Sequence, residues 1–310
     1  MKRHKLITLL LALWINLLLL TGMAFGCNLT DAEAITSASN FCKTMGISFP
    51  KDPWVLRVNS SSGYDNSETK EIAYGERGDF KGFISVSCDD KEVYSYINFD
   101  LRNIVRKKYK ISSVTTEPRN WPSFLSESKA KKIVFSIANK IGLPPDVKFI
   151  QFVLDKESGY WGAYWHRQYN GYLYEKDRIR IEIMAVDGEF YSYSKIYHGS
   201  PCPTDVKVKK ENAIEEGWQQ IYRLFKEVNW NMEKPGYEIQ STELKIIQPN
   251  TLDGQITTYH NTESRLAWVV VYGLKTKPDR SKLAKVAYLQ RITIKIDAAT
   301  KKFIGGDFTQ

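Results

Sequence analysis

The chain has 310 residues, of which 43% are hydrophobic and 13% aromatic, and its formal net charge is +9. This length suits two or three compact units, and the apolar content excludes wholesale disorder. Three of the positive charges lie within the first five residues, and the others are spread along the chain. A nucleic-acid-binding surface needs a concentrated basic patch, so we expect no nucleic-acid partner.

Residues 1–26 have the layout of a secretory signal peptide. The basic stretch Lys2-Arg-His-Lys5 precedes an apolar run from Leu6 to Leu20, and small residues follow up to Gly26. This run is shorter than the about 20 residues that a membrane-spanning helix needs. The sequence therefore predicts export to the cell envelope or beyond, with cleavage of the leader.

Cys27 directly follows the predicted cleavage site. In bacteria, a cysteine at this position can carry the lipid anchor of a lipoprotein. Gly26 and Cys27 fit that pattern, whereas Ala24 and Phe25 fit it poorly. Two alternatives stay open: a lipid anchor at Cys27, which would be the only membrane contact, or ordinary cleavage to a secreted or periplasmic protein.

Three further cysteines, Cys42, Cys88 and Cys202, allow disulfides in an exported protein. Cys42 lies on the apolar stripe of a predicted helix and Cys88 in a predicted strand that this helix covers, which makes a Cys42–Cys88 bridge plausible. Cys202 would then be free, or bonded to Cys27 if Cys27 carries no lipid. The alternative is that all three are buried thiols. No Cys-x-x-Cys spacing occurs, so we expect no metal site.

The first predicted unit spans residues 27–111. Thr30-Asp-Ala-Glu33 has the pattern of a capping box, apolar residues at helical spacing follow it, and Gly46 is placed to end the helix. Strands follow, and Ile84–Tyr96 is predicted to form a closing hairpin.

The second predicted unit spans residues 124–197, after a proline-containing linker at 112–123. Ser126 caps a helix that Gly142 ends, and Ile181–Tyr193 repeats the hairpin. The helix and hairpin signals recur at offsets of 96 and 97 residues. This agreement predicts a structural repeat.

The third predicted unit spans residues 206–310, after a linker at 198–204. A helix is predicted over residues 209–228, and a looser copy of the hairpin at Ile292–Ile304 closes the chain. Short connections between strands favour antiparallel pairing. The predicted fold class is therefore α+β, with repeated units of one helix packed on an antiparallel sheet.

Several motifs resemble those of PepSY-like domains. The capped helices begin Thr30-Asp-Ala-Glu-Ala34 and Ser126-Glu-Ser-Lys-Ala130, and Trp-bearing strands read Ala163-Tyr-Trp-His-Arg167 and Leu266-Ala-Trp-Val-Val270. Each is followed by an Asp-containing hairpin. The chain is similar to envelope proteins that carry several such units in tandem, and the resemblance covers most of residues 30–310.

The resemblance implies a cystatin-like fold and a non-enzymatic role. Proteins of this kind bind or modulate a protein partner, often a secreted peptidase, and they offer no catalytic residues to carry over. We therefore expect a protein partner in the cell envelope, with no cofactor.

The search for catalytic chemistry finds no metalloprotease, nucleophile-elbow, phosphate-loop or dinucleotide motif. His166 has no predicted orienting partner, so a structural role is favoured over a general base. Asp90, Asp187 and Asp297 are explained as turn residues.

Four aromatic residues of the second predicted unit, Trp161, Trp165, Tyr191 and Tyr193, could form a binding surface for a peptide or a glycan. The alternative is that they pair across strands and stabilise the sheet. Two other functions stay open beside partner binding: a small enzyme with a pocket between helix and sheet, and a cell-wall or glycan-binding module.

Overall fold

The computed structural model describes residues 27–60, 68–76, 79–111, 121–226, 236–249, 263–275 and 289–309. The predicted signal peptide at 1–26 and most of the predicted linker at 112–123 lie outside these residues. Within the described ranges, no helix is long and apolar enough to cross a membrane. The chain forms two compact units, of which the first ends at Tyr96 and the second begins at Ile97.

The first unit combines one helix with an antiparallel arrangement of strands. The helix is amphipathic, and it buries Ala34, Ala38 and Cys42 against the second and third strands. Its elements are α1 (Asp31–Met45), β1 (Val55–Ser60), β2 (Glu68–Glu76), β3 (Asp79–Ser87) and β4 (Val93–Asn98), in the sheet order β1-β2-β3-β4.

The ends of α1 confirm the predicted capping box. The Glu33 backbone N–H donates to Thr30 Oγ1 at 3.2 Å, and the Thr30 N–H donates to Glu33 Oε2 at 2.9 Å. Gly46 ends the helix with a φ of +72°, a left-handed conformation that glycine adopts without a steric penalty.

The second unit contains three helices and the remaining strands. The helices are α2 (Phe99–Lys108), α3 (Glu127–Ile141) and α4 (Lys210–Lys226). The strands are β5 (Val147–Asp155), β6 (Tyr160–Tyr169), β7 (Tyr172–Met184), β8 (Phe190–Ile196), β9 (Tyr237–Ile247), β10 (Arg265–Leu274), β11 (Arg291–Asp297) and β12 (Phe303–Thr309).

The strand order in the second unit is β8-β7-β9-β10-β11-β12, and β6 pairs with both β7 and β5. Ile179, Ile181 and Ile183 of β7 are fully buried, and α3, whose buried residues include Val134 and Ile137, packs against this strand. Helix α4 packs on β10, β11 and β12. Its core includes Trp218, Ile221, Tyr272, Ile292 and Ile294.

The predicted fold class is wrong. The described part of the chain is dominated by strands, with 44% strand against 25% helix, and the strands of the second unit form a mixed sheet rather than repeated helix-on-sheet units. The pairing that breaks the predicted pattern joins β7 to β9 in parallel, with Leu173 opposite Lys245 and Tyr174 opposite Ile246. The long connection through α4 permits a parallel pair, which a short turn would not.

The three predicted hairpins are confirmed as local structures. In each turn the residue that closes a backbone hydrogen bond lies in the left-handed region: Lys91 (φ +61°), Gly188 (φ +85°) and Lys301 (φ +63°). Their N–H groups donate to the carbonyls of Ser87, Met184 and Asp297 at 3.1, 2.9 and 3.0 Å. The repeat read from the sequence is thus a repeat of hairpin turns.

The disulfide differs from the predicted Cys42–Cys88 bridge, because Cys88 is bonded to Cys27. Cys42 is a buried free thiol on the inner face of α1, and Cys202 is also free and buried. Burial raises the pKa of Cys42 to about 12, which keeps its thiol protonated. The disulfide also occupies the Cys27 Sγ atom to which a lipid anchor would be attached, so that sulfur cannot carry both.

Candidate functional site

The four aromatic residues proposed as a binding surface are buried. Trp161, Trp165, Tyr191 and Tyr193 expose at most 8% of their surface. Trp161 donates its indole N–H to the Leu125 carbonyl at 3.2 Å. The structure thus favours the alternative that the sequence left open, in which these rings stabilise the packing.

Trp165 nevertheless marks the margin of an exposed apolar region. Its ring meets Phe135 of α3 and Phe149 of β5 at centroid distances of 5.7 and 5.6 Å, and the latter two rings lie 5.3 Å apart. Phe135 and Phe149 are both exposed, so two of the three rings in this cluster reach the surface.

Strand β5 forms the open edge beside this cluster. It pairs with β6, and no second strand pairs with it in the described ranges. Phe149, Ile150 and Val153 expose 36%, 41% and 43% of their surface. Among the described residues of β12, which ends the strand order of the second unit, no large apolar side chain is exposed.

The register of β5 contains a bulge that divides the edge. Phe149 lies opposite Trp165 and Gln151 opposite Tyr164, so Ile150 is the extra residue. Beyond the bulge, pairing with β6 is continuous from Gln151 to Asp155. This segment offers an extended backbone whose outer side is available to another strand. We call Phe135, Phe149, Ile150 and Val153 the β5 edge surface; the register places Val153 on the opposite face of the sheet from Phe149.

The surroundings of the β5 edge surface are basic. Helix α3 carries four lysines and one glutamate, and Lys148 lies on the strand itself. Lys131 stands 5.7 Å from the ring centre of Phe152, and it also pairs with Glu127 at 2.6 Å. The net positive charge would attract an acidic partner segment.

A second polar cluster lies on β7 and its neighbours. Glu182 is buried, and its carboxylate accepts hydrogen bonds from Arg180 and from the Ser192 hydroxyl. Burial raises the pKa of Glu182, and Ser192 and Arg180 oppose that effect. The Tyr160 hydroxyl accepts from Arg180 Nη2 at 3.3 Å, and the Tyr164 ring lies 5.4 Å from the guanidinium.

A third cluster secures the segment that the sequence predicts as the 198–204 linker. Arg167 donates to Asp146 at 2.8 Å, to Asp177 at 3.2 Å and to the Gly199 carbonyl at 2.6 Å. The buried Asp177 also accepts from the His198 and Gly199 backbone N–H groups. With its donors and acceptors engaged in this way, the cluster has a structural role.

The remaining candidates are structural. His166 Nδ1 lies 3.2 Å from the Tyr174 carbonyl, and no acid is paired with this ring among the described residues. Asp297 Oδ1 accepts from the Ala299 and Thr300 N–H groups, which is the predicted turn role. In the described ranges, only one group has metal-ligand spacing, and it consists of Cys27, Glu68 and Cys88. Its two sulfur atoms form the disulfide.

Sequence reasoning missed two of these features. It could not tell that β5 lies at an edge, since edge position depends on pairing with distant residues. It also missed α2, although Asn98 caps this helix through Leu101 N–H at 3.2 Å and its apolar residues follow helical spacing.

No protein-family model matches the chain, and no curated protein matches it. Among solved structures, the chain is similar to an uncharacterized protein from Eubacterium rectale. The two are 10% identical, the match covers 89% of this chain and 82% of that chain, and the TM-score is 0.47.

Proposed function

We propose that the protein is a non-enzymatic, exported binding protein that accepts an extended segment of a partner protein along β5. The observation that supports this most strongly is the β5 edge surface, an open strand edge with three exposed apolar side chains. An extended peptide can add to such an edge through backbone hydrogen bonds, and its alternate side chains then supply specificity.

The flanking charge determines the chemistry of the partner. The lysines of α3 and Lys148 favour a segment in which apolar residues alternate with Asp or Glu. Because the bulge at Ile150 interrupts the edge, the added strand would be short and would pair mainly with Gln151–Asp155. A secreted peptidase of the cell envelope is one such partner.

Export is part of the proposal. The leader pattern of residues 1–26 supports it, and the Cys27–Cys88 disulfide is of the kind that persists in oxidising compartments. With Cys27 in the disulfide, the proposal favours a secreted or periplasmic protein over one with a lipid anchor. A glycan platform receives no support, because the aromatic residues that it needs are buried.

The first test is selection from a displayed library of random ten-residue peptides. We expect enriched peptides to alternate apolar and acidic residues. Val153→Asp should weaken their binding by at least about tenfold, because it removes an apolar contact and places a negative charge against an acidic peptide. Val206→Asp is the matched control, since Val206 is similarly exposed, at 42%, but lies outside β5.

The second test separates strand addition from simple apolar contact. An enriched peptide is made as two isomers, each N-methylated at one set of alternate residues. Only the isomer whose methyl groups point toward β5 should lose binding, because only those N–H groups pair with the edge. Equal binding of both isomers, unchanged binding to the Val153→Asp variant, or a library without enriched peptides would each overturn the proposal.

A further inference from the structure

Several buried hydrogen-bond donors of the second unit have no acceptor among the described residues and lie around the side-chain cluster that contains Tyr160 and Tyr191. Arg102 Nε, Trp121 Nε1 and Arg180 Nε are buried and have no partner in the described part of the chain. An unsatisfied buried donor costs about 1–3 kcal/mol, so such groups are rare unless a ligand or a water molecule completes them. All three atoms can only donate.

Packing brings the three donors together. Arg180 lies over the Tyr160 ring at 5.7 Å, and that ring stacks on Tyr191 at 5.9 Å. Helix α2 lies on Tyr191 through Leu101 and Val105. Arg102 of the same helix is close enough for its charge to act on the Tyr191 hydroxyl. Trp121 packs against the same cluster.

The net charge around Tyr191 is positive. Burial raises the pKa of Tyr191, whereas the charges of Arg102, Arg180 and Arg106 act to lower it, so all three guanidinium groups act on this hydroxyl. Two acids oppose this charge. Glu182 acts on Tyr191, and its two oxygens already accept from Arg180 and Ser192, whereas Asp155 acts on the neighbouring Tyr160. The positive charge is therefore only partly balanced.

We infer that Arg102, Arg180 and Trp121, with the stacked Tyr160–Tyr191 pair, form a binding site for a small organic anion. Its carboxylate or phosphate oxygens would accept from the orphaned N–H groups, and its apolar body would lie against the aromatic rings. Guanidinium groups suit such oxygens because they donate in a planar fork. This site is separate from the β5 edge surface and does not depend on it.

The test is isothermal titration of the protein with benzoate, its neutral analogue benzamide, acetate and inorganic phosphate. We expect saturable binding of benzoate or phosphate and none of benzamide. Stronger binding of benzoate than of acetate would show that the apolar body of the ligand contacts the Tyr160 and Tyr191 rings. Binding of phosphate alone would identify a phosphate ligand. If neither benzoate, acetate nor phosphate saturates a site, only water completes these donors and the inference is overturned.

Variants connect the binding to the named donors. Arg102→Gln should raise the Kd by at least about tenfold, because it removes a charged donor. Arg102→Lys should also weaken binding, since it keeps the charge but loses the Nε–H group. Arg223→Gln is the control, as Arg223 is exposed on α4. Thermal unfolding of each variant shows whether it is folded, and an unchanged Kd in folded Arg102→Gln would contradict the assignment.

Discussion

Asp90 and Asp187, 97 residues apart, make the same hydrogen bond in two separate hairpin turns. Asp90 Oδ1 accepts from the Glu92 N–H at 3.0 Å, and Asp187 Oδ1 accepts from the Glu189 N–H at 3.2 Å. In each turn the residue between the Asp and the Glu, which is Lys91 or Gly188, has a positive φ. The repeated acid therefore stabilises a turn, and its recurrence in the sequence reflects a local folding requirement.

The first prediction concerns this turn. Asp187→Ala should lower the free energy of unfolding by about 1 kcal/mol, because the Glu189 N–H loses its side-chain acceptor. Asp187→Asn should lose less, since its amide oxygen can still accept. Urea unfolding measures both, with Asp205→Ala in an exposed loop as the control. Equal losses for Asp187→Ala and Asp205→Ala would contradict the assigned role.

Local features of the fold were predictable from the sequence, and features that depend on distant pairing were not. Thr30 and Ser126 mark helix starts because capping depends on residues within one turn. The parallel contact of Leu173 with Lys245 joins residues 72 positions apart, and no local pattern encodes it. Periodicity within β7 marks Ile181 as core but does not show which strands lie beside it.

The same distinction applies to the candidate sites. The sequence is equally consistent with Tyr191 as an exposed residue of a binding surface or as a core residue. Strand alternation indicates two faces but does not reveal what covers them. The unpredicted helix α2 covers it. The exposure of Val153 likewise follows from the edge position of β5, which the sequence of β5 alone does not encode.

The second prediction concerns Cys27. Cys27→Ser and Cys88→Ser should each lower the free energy of unfolding by about 2–4 kcal/mol, because the disulfide closes a long loop, with a sequence separation of 61. The double variant should lose no more than either single variant, and reductant should lower only the stability of the wild-type protein. Urea unfolding with and without reductant measures these effects.

Mass spectrometry of the N-terminal peptide provides the complementary measurement. We expect Cys27 linked to Cys88 and two free thiols, of which Cys42 should resist alkylation until the protein unfolds, since its pKa is raised to about 12. An acylated Cys27, or rapid alkylation of Cys42 in the folded protein, would contradict this assignment.

The third prediction concerns Arg167. Arg167→Met should lower the free energy of unfolding by about 3–5 kcal/mol, because it leaves the buried carboxylate of Asp177 without its cation. Arg265→Met is the matched control. It removes an exposed pair with Glu263 and should cost less than about 1 kcal/mol. Similar losses for the two variants in urea unfolding would contradict a buried role for the Arg167 cluster.

The fourth prediction concerns the pH dependence that Glu182 produces. Because burial raises the pKa of Glu182, the folded protein holds this proton at pH values where the unfolded chain has already lost it. The contribution of Glu182 to stability is therefore fully present below the ordinary pKa of 4.5. It is lost as the pH rises through the folded pKa.

Glu182→Gln removes this titration and keeps a group that can accept from Ser192. Arg180 is partly exposed, so it stays solvated without its partner. The stability of Glu182→Gln relative to the wild-type protein should therefore increase as the pH rises from 4 to neutrality. Urea unfolding across that range measures the difference, and Glu189→Gln, on the exposed turn that follows β7, is the control. A difference that does not change with pH would show that the Glu182 carboxyl titrates alike in the folded and unfolded chain, despite its burial between Arg180 and Ser192.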